Sequence, residues 1–151
     1  MPTETLMGET EAFTPKVLVV DANVKHCLLY RMEMEAQGFE VVCAHNGSEA
    51  LQQIQDRSFD VAVVDVILPD VNGAELVKEI STTRRHPNGP NLPIIINTAY
   101  PYGKSHIRRL AADAFVLKSS DLHELLGKIA SLSRPYRAHS RMTRSMRQSL
   151  A

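Results

Sequence analysis

The sequence predicts an α/β fold, a doubly wound sheet of five parallel strands with helices on both faces, and two observations carry the prediction. Three short β-rich runs, Lys16-Val-Leu-Val-Val-Asp21, Phe59-Asp-Val-Ala-Val-Val-Asp65 and Leu92-Pro-Ile-Ile-Ile-Asn-Thr98, are apolar almost throughout instead of alternating. Continuous apolar character means that both faces are covered, which is the mark of a parallel strand under helices. Helical patterns separate these runs, and a strict strand-helix alternation in little more than a hundred residues implies right-handed crossovers in one open sheet.

The elements follow in chain order. After Lys16 to Asp21, a helix is expected over Val24 to Gln37, with Asn23 suited to its start and Gly38 to its end. A weaker apolar run, Glu40 to Ala44, gives the second strand, and Ser48 to Gln55 the second helix behind Asn46 and Gly47. Phe59 to Asp65 is the third strand. From Ala74 to about Arg85, Leu76, Val77 and Ile80 fall on one stripe before the turn-rich His86-Pro-Asn-Gly-Pro-Asn91. Leu92 to Thr98 and the weaker Ala114 to Leu117 complete the sheet. In the final helix Leu122, Leu125, Leu126, Ile129 and Leu132 recur at helical spacing, with Asp121 expected as N-cap and Glu124 three residues on. These stripes are the expected core.

A chain of 151 residues with 44% hydrophobic and 23% charged content has none of the biases of disordered, collagenous or disulfide-scaffold proteins. Residues 15–133 are expected to form one domain. Residues 1–14 carry Glu4, Glu9 and Glu11 without a base and read as a flexible acidic segment, while residues 134–151 carry five arginines without an acid. That basic tail, with Arg134, Arg137, Arg141, Arg144 and Arg147, reads as disordered or as a short helix, and it is too short to be an output domain. A formal net charge of zero gives no long-range field toward nucleic acid, so any such role would fall to the tail. No apolar run approaches the roughly 20 residues of a membrane span, and the acidic N-terminus is unlike a secretory signal, so a cytoplasmic protein is expected. Cys27 and Cys43 have neither metal-knuckle nor redox-dithiol spacing and read as reduced, buried thiols. His45, His86 and His106 lack metal-ligand spacing and read as solvated, and Arg84-Arg85 and Arg108-Arg109 as solvated helix faces.

Doubly wound sheets place their chemistry beyond the carboxyl ends of the central strands. Asp21, Asp65 and Thr98 each end a strong strand and Lys118 closes the last, so the four are expected to converge. Two carboxylates, a hydroxyl and an ammonium make an incomplete shell around one phosphoryl group. Asp65 can take the phosphate as an acyl phosphate, Asp21 can help hold a hard divalent cation, and Thr98 and Lys118 can bond the phosphoryl oxygens.

Val19-Val20-Asp21, Asp65-Val-Ile-Leu-Pro69-Asp-Val-Asn-Gly73, Asn97-Thr98-Ala99 and Phe115-Val-Leu-Lys118 together resemble the receiver domains of two-component response regulators, over roughly residues 15–132. The resemblance implies the flavodoxin-like (βα)5 receiver fold and reversible phosphorylation by a histidine kinase or phosphotransferase. It implies a magnesium requirement, and output to a protein target through the face made by the fifth strand and the helices before and after it. It makes Asp65 the phosphoacceptor, Thr98 the switch hydroxyl, Phe115 the switch aromatic and Lys118 the phosphate-sensing lysine, with the Ile67 backbone carbonyl joining Asp21 and Asp65 as metal ligands. A stand-alone signalling receiver is expected, not a metabolic enzyme.

Three features depart from the family. Asp21-Ala22-Asn23 puts alanine where receivers carry a second adjacent acid, which predicts a weak magnesium site. Ser119 replaces the usual proline after Lys118, so a trans peptide is expected there. The Thr98 to Lys118 interval is short, which predicts a trimmed helix or loop. Three other readings compete: a pseudo-receiver adaptor that binds a partner without phosphorylation, a nucleic-acid or membrane-surface binder acting through the basic tail, and, from topology alone, a flavin enzyme. The last lacks a hydroxyl-rich phosphate loop after the first strand.

Overall fold

A computed structural model describes residues 14–83, 91–99 and 111–133. The acidic N-terminal residues, the turn around His86, the stretch that holds His106 and Arg108-Arg109, and the basic tail lie outside the described residues. So do the expectations made for them.

The described elements are β1 (Lys16–Val20), α1 (Val24–Ala36), β2 (Glu40–Ala44), α2 (Gly47–Asp56), β3 (Val61–Val64), α3 (Gly73–Thr83), β4 (Ile94–Thr98), β5 (Ala114–Leu117) and α4 (His123–Leu132). All four strand pairings are parallel, in the order β2-β1-β3-β4-β5. The order reverses between β1 and β3, so a crevice opens at their carboxyl ends. Asp21 and Asp65 lie one residue beyond their strands and not within them. Register brings them level, because the Asp65 N–H donates to the Val20 carbonyl at 2.9 Å.

The central strands β1, β3 and β4 are buried on both faces and separate two cores. Leu18, Val20, Ala62, Val64, Ile94 and Ile96 pack with Ile54 of α2 and Leu76, Val77 and Ile80 of α3. Val17, Val19, Val61, Val63 and Ile95 pack on the other side with Tyr30 and Met34 of α1 and Leu125 and Ile129 of α4. That is the doubly wound architecture expected from the continuous apolar runs.

Local signals explain the helix ends. The Asn23 side chain accepts from the N–H groups of Lys25 and His26 and starts α1. Gln37 is the last, half-helical residue, and Gly38 follows it at φ 94°, a conformation that suits glycine. Asn46 caps α2 through the Glu49 N–H. The final helix differs from expectation: it starts at His123, one residue later than an Asp121 cap would require, and Leu122 in the cap position has no side-chain bond. Asp121 instead closes a tight local turn, accepting the His123 N–H at 2.9 Å while its own N–H donates to Ser119 Oγ.

Helix α1 has little amphipathic character. Cys27, Tyr30 and Met34 are buried, but Val24, Leu28 and Met32, four residues apart, are 62%, 57% and 62% exposed. An apolar stripe therefore faces solvent beside the crevice. No helix among the described residues is long and apolar enough to cross a membrane.

Candidate functional site

Three of the four predicted side chains meet at the crevice. Lys118 Nζ stands 2.6 Å from Asp65 Oδ2 and 2.8 Å from Asp21 Oδ2, so one ammonium joins both strand-end carboxylates. All three side chains are largely buried. The second oxygen of each carboxylate is bonded to local backbone: Asp21 Oδ1 accepts the Asn23 N–H at 2.8 Å and Asp65 Oδ1 accepts the Ile67 N–H at 3.2 Å. These local turns fix the carboxylates with their Oδ2 atoms toward Lys118 in the crevice. Burial alone would lower the pKa of Lys118, but its pairing with the Asp21 and Asp65 carboxylates outweighs burial and raises it.

Lys118 gains this reach across a trans Lys118–Ser119 peptide, as expected without proline, since no peptide bond among the described residues is cis. Its N–H donates to the Thr98 carbonyl at 2.8 Å, which draws the loop after β5 against the end of β4. Thr98 itself is fully buried at that strand end. Phe115 is half-buried, level with Ile96, and packs against the core that holds α2 and α3.

The Asp65 to Gly73 loop is clamped at its far end. Asp70 accepts the N–H groups of Gly47 and Ser48 at the start of α2, at 2.8 and 3.0 Å, and these bonds lower its pKa. A Cβ on Gly73 would stand 2.3 Å from Val66 Cα and 2.5 Å from the Asp65 carbonyl oxygen, so only glycine lets α3 begin against the residues that carry Asp65.

Several contributors were not legible in the sequence. His26 Nδ1 lies 3.4 Å from Lys118 Nζ and 3.6 Å from Asp21 Oδ2, at the half-exposed rim of the crevice. His26 stacks on Tyr30, whose hydroxyl donates to Asn97 Oδ1 at 3.0 Å, and Asn97 in turn donates to the Val116 carbonyl. A buried polar link thus runs behind the site from α1 to β5. His45, expected to be solvated, is half-buried with Nδ1 3.0 Å from the Asp21 carbonyl. Cys43, expected to be buried, is only half-buried, because the edge strand β2 leaves its side chain at the rim of α1.

The donor set can be matched to a cation. Asp21 Oδ2 is buried and has no aligned hydrogen-bond donor, its contact with Lys118 being an ion pair out of bonding direction. With Asp65 Oδ2 at the same ammonium, two carboxylate oxygens fit a hard divalent ion that keeps most of its waters. The set is sparse: with Ala22 in place of an acid, no group of three metal-ligating side chains occurs among the described residues.

Comparison with known proteins agrees with this geometry. Residues 17–130 match the response regulator receiver domain family. The phosphate regulon transcriptional regulatory protein PhoB of Rhizobium meliloti is 35% identical over 122 residues, which are 80% of this chain and 52% of that protein. The transcriptional regulatory protein ZraR of Klebsiella oxytoca is 30% identical over 131 residues, 85% of this chain and 28% of the relative. The chain thus spans about half or less of the length of these curated relatives. Among solved structures, the response regulator TrrA of Thermotoga maritima in complex with Mg(2+)-BeF is 31% identical, with a TM-score of 0.70 over 79% of this chain and 99% of that one. TrrA bound to the histidine kinase ThkA gives the same identity and TM-score, over 79% and 98%. The chain belongs to the response regulator receiver domain family of two-component signalling, with the flavodoxin-like five-stranded fold.

Proposed function

We propose that this receiver accepts a phosphoryl group on Asp65 and switches a protein–protein contact, as a cytoplasmic signalling module and not a metabolic enzyme. One observation carries the reading: Asp65 stands at the switch point of the sheet with its Oδ2 held 2.6 Å from Lys118 Nζ, opposite Asp21.

In the reaction an Asp65 oxygen attacks the phosphorus of a phosphohistidine or a small acyl phosphate. The new O–P bond forms as the bond to the donor imidazole nitrogen or acyl oxygen breaks. Asp21, Asp65 and the Ile67 carbonyl would hold magnesium, which supplies charge neutralisation for the phosphoryl oxygens. Lys118, already at the site, turns from the carboxylates to the incoming oxygens, and Thr98 at the neighbouring strand end is the second donor. The product adds about −1.5 to −2 charge beside Asp21, and inward movement of Thr98 would free space for the half-buried Phe115 ring. Output then passes through β5 and the helices beside it to a target protein, while nucleic acid would be met only through the residue 134–151 tail.

TrrA, similar in fold and sequence, has been solved with a histidine kinase. A kinase or phosphotransferase is the corresponding partner here, and the exposed Val24, Leu28 and Met32 stripe beside the crevice gives it an apolar surface to dock on. Acid-labile labelling of the chain by acetyl phosphate with magnesium is expected, abolished in Asp65→Asn. A wild type that stays unlabelled at saturating magnesium would sink the reading.

A second reading, a pseudo-receiver that binds its partner without phosphorylation, is favoured by the sparse donor set around Ala22 and by an ammonium already paired with both carboxylates. It predicts that Asp65→Ala binds the partner as the wild type does.

A further inference from the structure

Beside Asp21, on the face of the sheet that carries α1, two cysteines meet that lie 16 residues apart along the chain. Cys27 is near the start of α1 and Cys43 is on the edge strand β2. Cys43 Sγ stands 3.7 Å from the Cys27 carbonyl oxygen. Cys27 Sγ lies 3.4 Å from the Asp21 carbonyl oxygen and 3.7 Å from His45 Nδ1. Cys27 is buried and Cys43 half-buried, and with Arg31 and His45 they line an open surface cleft of about 230 Å3. A small oxidant therefore has a route to the pair, with Cys43 the more accessible thiol. The phosphoryl chemistry proposed above uses neither.

We propose that Cys27 and Cys43 form a peroxide-responsive dithiol that closes to an intramolecular disulfide between α1 and β2. The neighbouring Cys27 side chain outweighs burial, with help from Arg31 and His45, and holds the Cys43 thiol down to about 7. Cys43, the more accessible thiol, is the attacking thiolate, and Cys27, buried behind it, is the resolving thiol.

The Cys43 thiolate attacks one oxygen of hydrogen peroxide. The O–O bond breaks, hydroxide leaves and takes up a proton as water, and Cys43 becomes a sulfenic acid. The Cys27 sulfur then attacks the Cys43 sulfur, the S–O bond breaks, and the hydroxyl leaves as a second water with the Cys27 proton. Two electrons have passed from the thiols to peroxide, and a dithiol reductant returns them. Oxidation removes the Cys27 S–H that donates to the Asp21 carbonyl, so the first turn of α1 and the acid site feel the redox state. Only this coupling rests on the reading of Asp65 as phosphoacceptor.

The test treats the full chain with hydrogen peroxide, then alkylates it with iodoacetamide under denaturing conditions and measures the mass. The expected result is joint loss of both alkylation sites, a mass lower by two hydrogens, a linked Cys27–Cys43 peptide, a monomer on a non-reducing gel, and recovery with dithiothreitol. In Cys27→Ser, Cys43 is expected to stall as a sulfenic acid that dimedone traps. Two alkylatable thiols after treatment, Cys43 sulfinic acid without a cross-link, or cross-linked dimers would overturn the proposal. Acetyl phosphate labelling of oxidised and reduced protein is expected to differ in rate. Equal labelling of a cross-linked chain would overturn the coupling to Asp65, while no labelling in either state would overturn the Asp65 reading and leave the dithiol standing.

Discussion

At the amino-terminal end of the sheet, Asp60 accepts the Lys16 N–H and Asp113 accepts the Ile94 N–H, each at 2.8 Å, so these carboxylates bond the first backbone donor of a neighbouring strand. At the carboxyl end, Asp21 and Asp65 give one oxygen to local backbone and aim the other at Lys118. The residue type is the same, but the first pair closes the sheet and the second is left with charge to spare. Two carboxylates against one ammonium make an excess of one negative charge in a buried place, which costs stability and is the usual signature of a site built for something else.

This contrast can be broken or sharpened by substitution. Lys118→Met removes the cation and strands two buried carboxylates, and a loss of about 3 to 5 kcal/mol in denaturant unfolding is expected. Because Lys118 has a raised pKa when folded, its contribution is fully present below the ordinary lysine value of about 10.4 and fades as pH rises through the folded value. The variant should lack that alkaline slope, and a stability curve parallel to wild type would show the ammonium to be solvated after all. Asp60→Ala at the other end leaves the Lys16 N–H without its acceptor, for a smaller loss of about 1 to 3 kcal/mol. If it equalled Lys118→Met, the two ends would not differ in kind.

Asp65→Asn should change stability by less than about 1 kcal/mol, because an amide oxygen still accepts from Lys118 and Ile67 while the excess charge disappears. A large loss would make Asp65 structural, like Asp60. The smallest effect is expected at Asp70, which has a lowered pKa when folded. Its contribution is present above the ordinary aspartate value of about 3.9 and is lost as pH falls through the folded value. Asp70→Ala should therefore melt slightly earlier than wild type at neutral pH and converge with it in acid, as thermal scans would show.

The strands were legible because burial on both faces writes one uninterrupted apolar run, and the site because a doubly wound sheet dictates where strand ends meet. Glu40–Ala44 and Ala114–Leu117 match their predicted bounds, and the stronger runs lost only terminal residues. Asp121 misled because an aspartate that bonds an N–H two residues on looks like an N-cap in sequence. His26, Tyr30 and Asn97 could not be read, since their meeting depends on how α1 lies across the sheet. Cys27 and Cys43 escaped for the same reason: local spacing detects cysteines that share one loop, and these share only a helix-strand packing contact.

The sheet also acts as a partition. Strand residues alternate between two cores, so α2 and α3 rest on one set of side chains and α1 and α4 on another. The faces communicate through backbone and through the crevice where the strands end, not through shared side chains. Repacking one face should therefore leave the other undisturbed, with substitutions across the partition close to additive. A module divided in this way can vary the surface that meets its partners on one side while the other side keeps it folded.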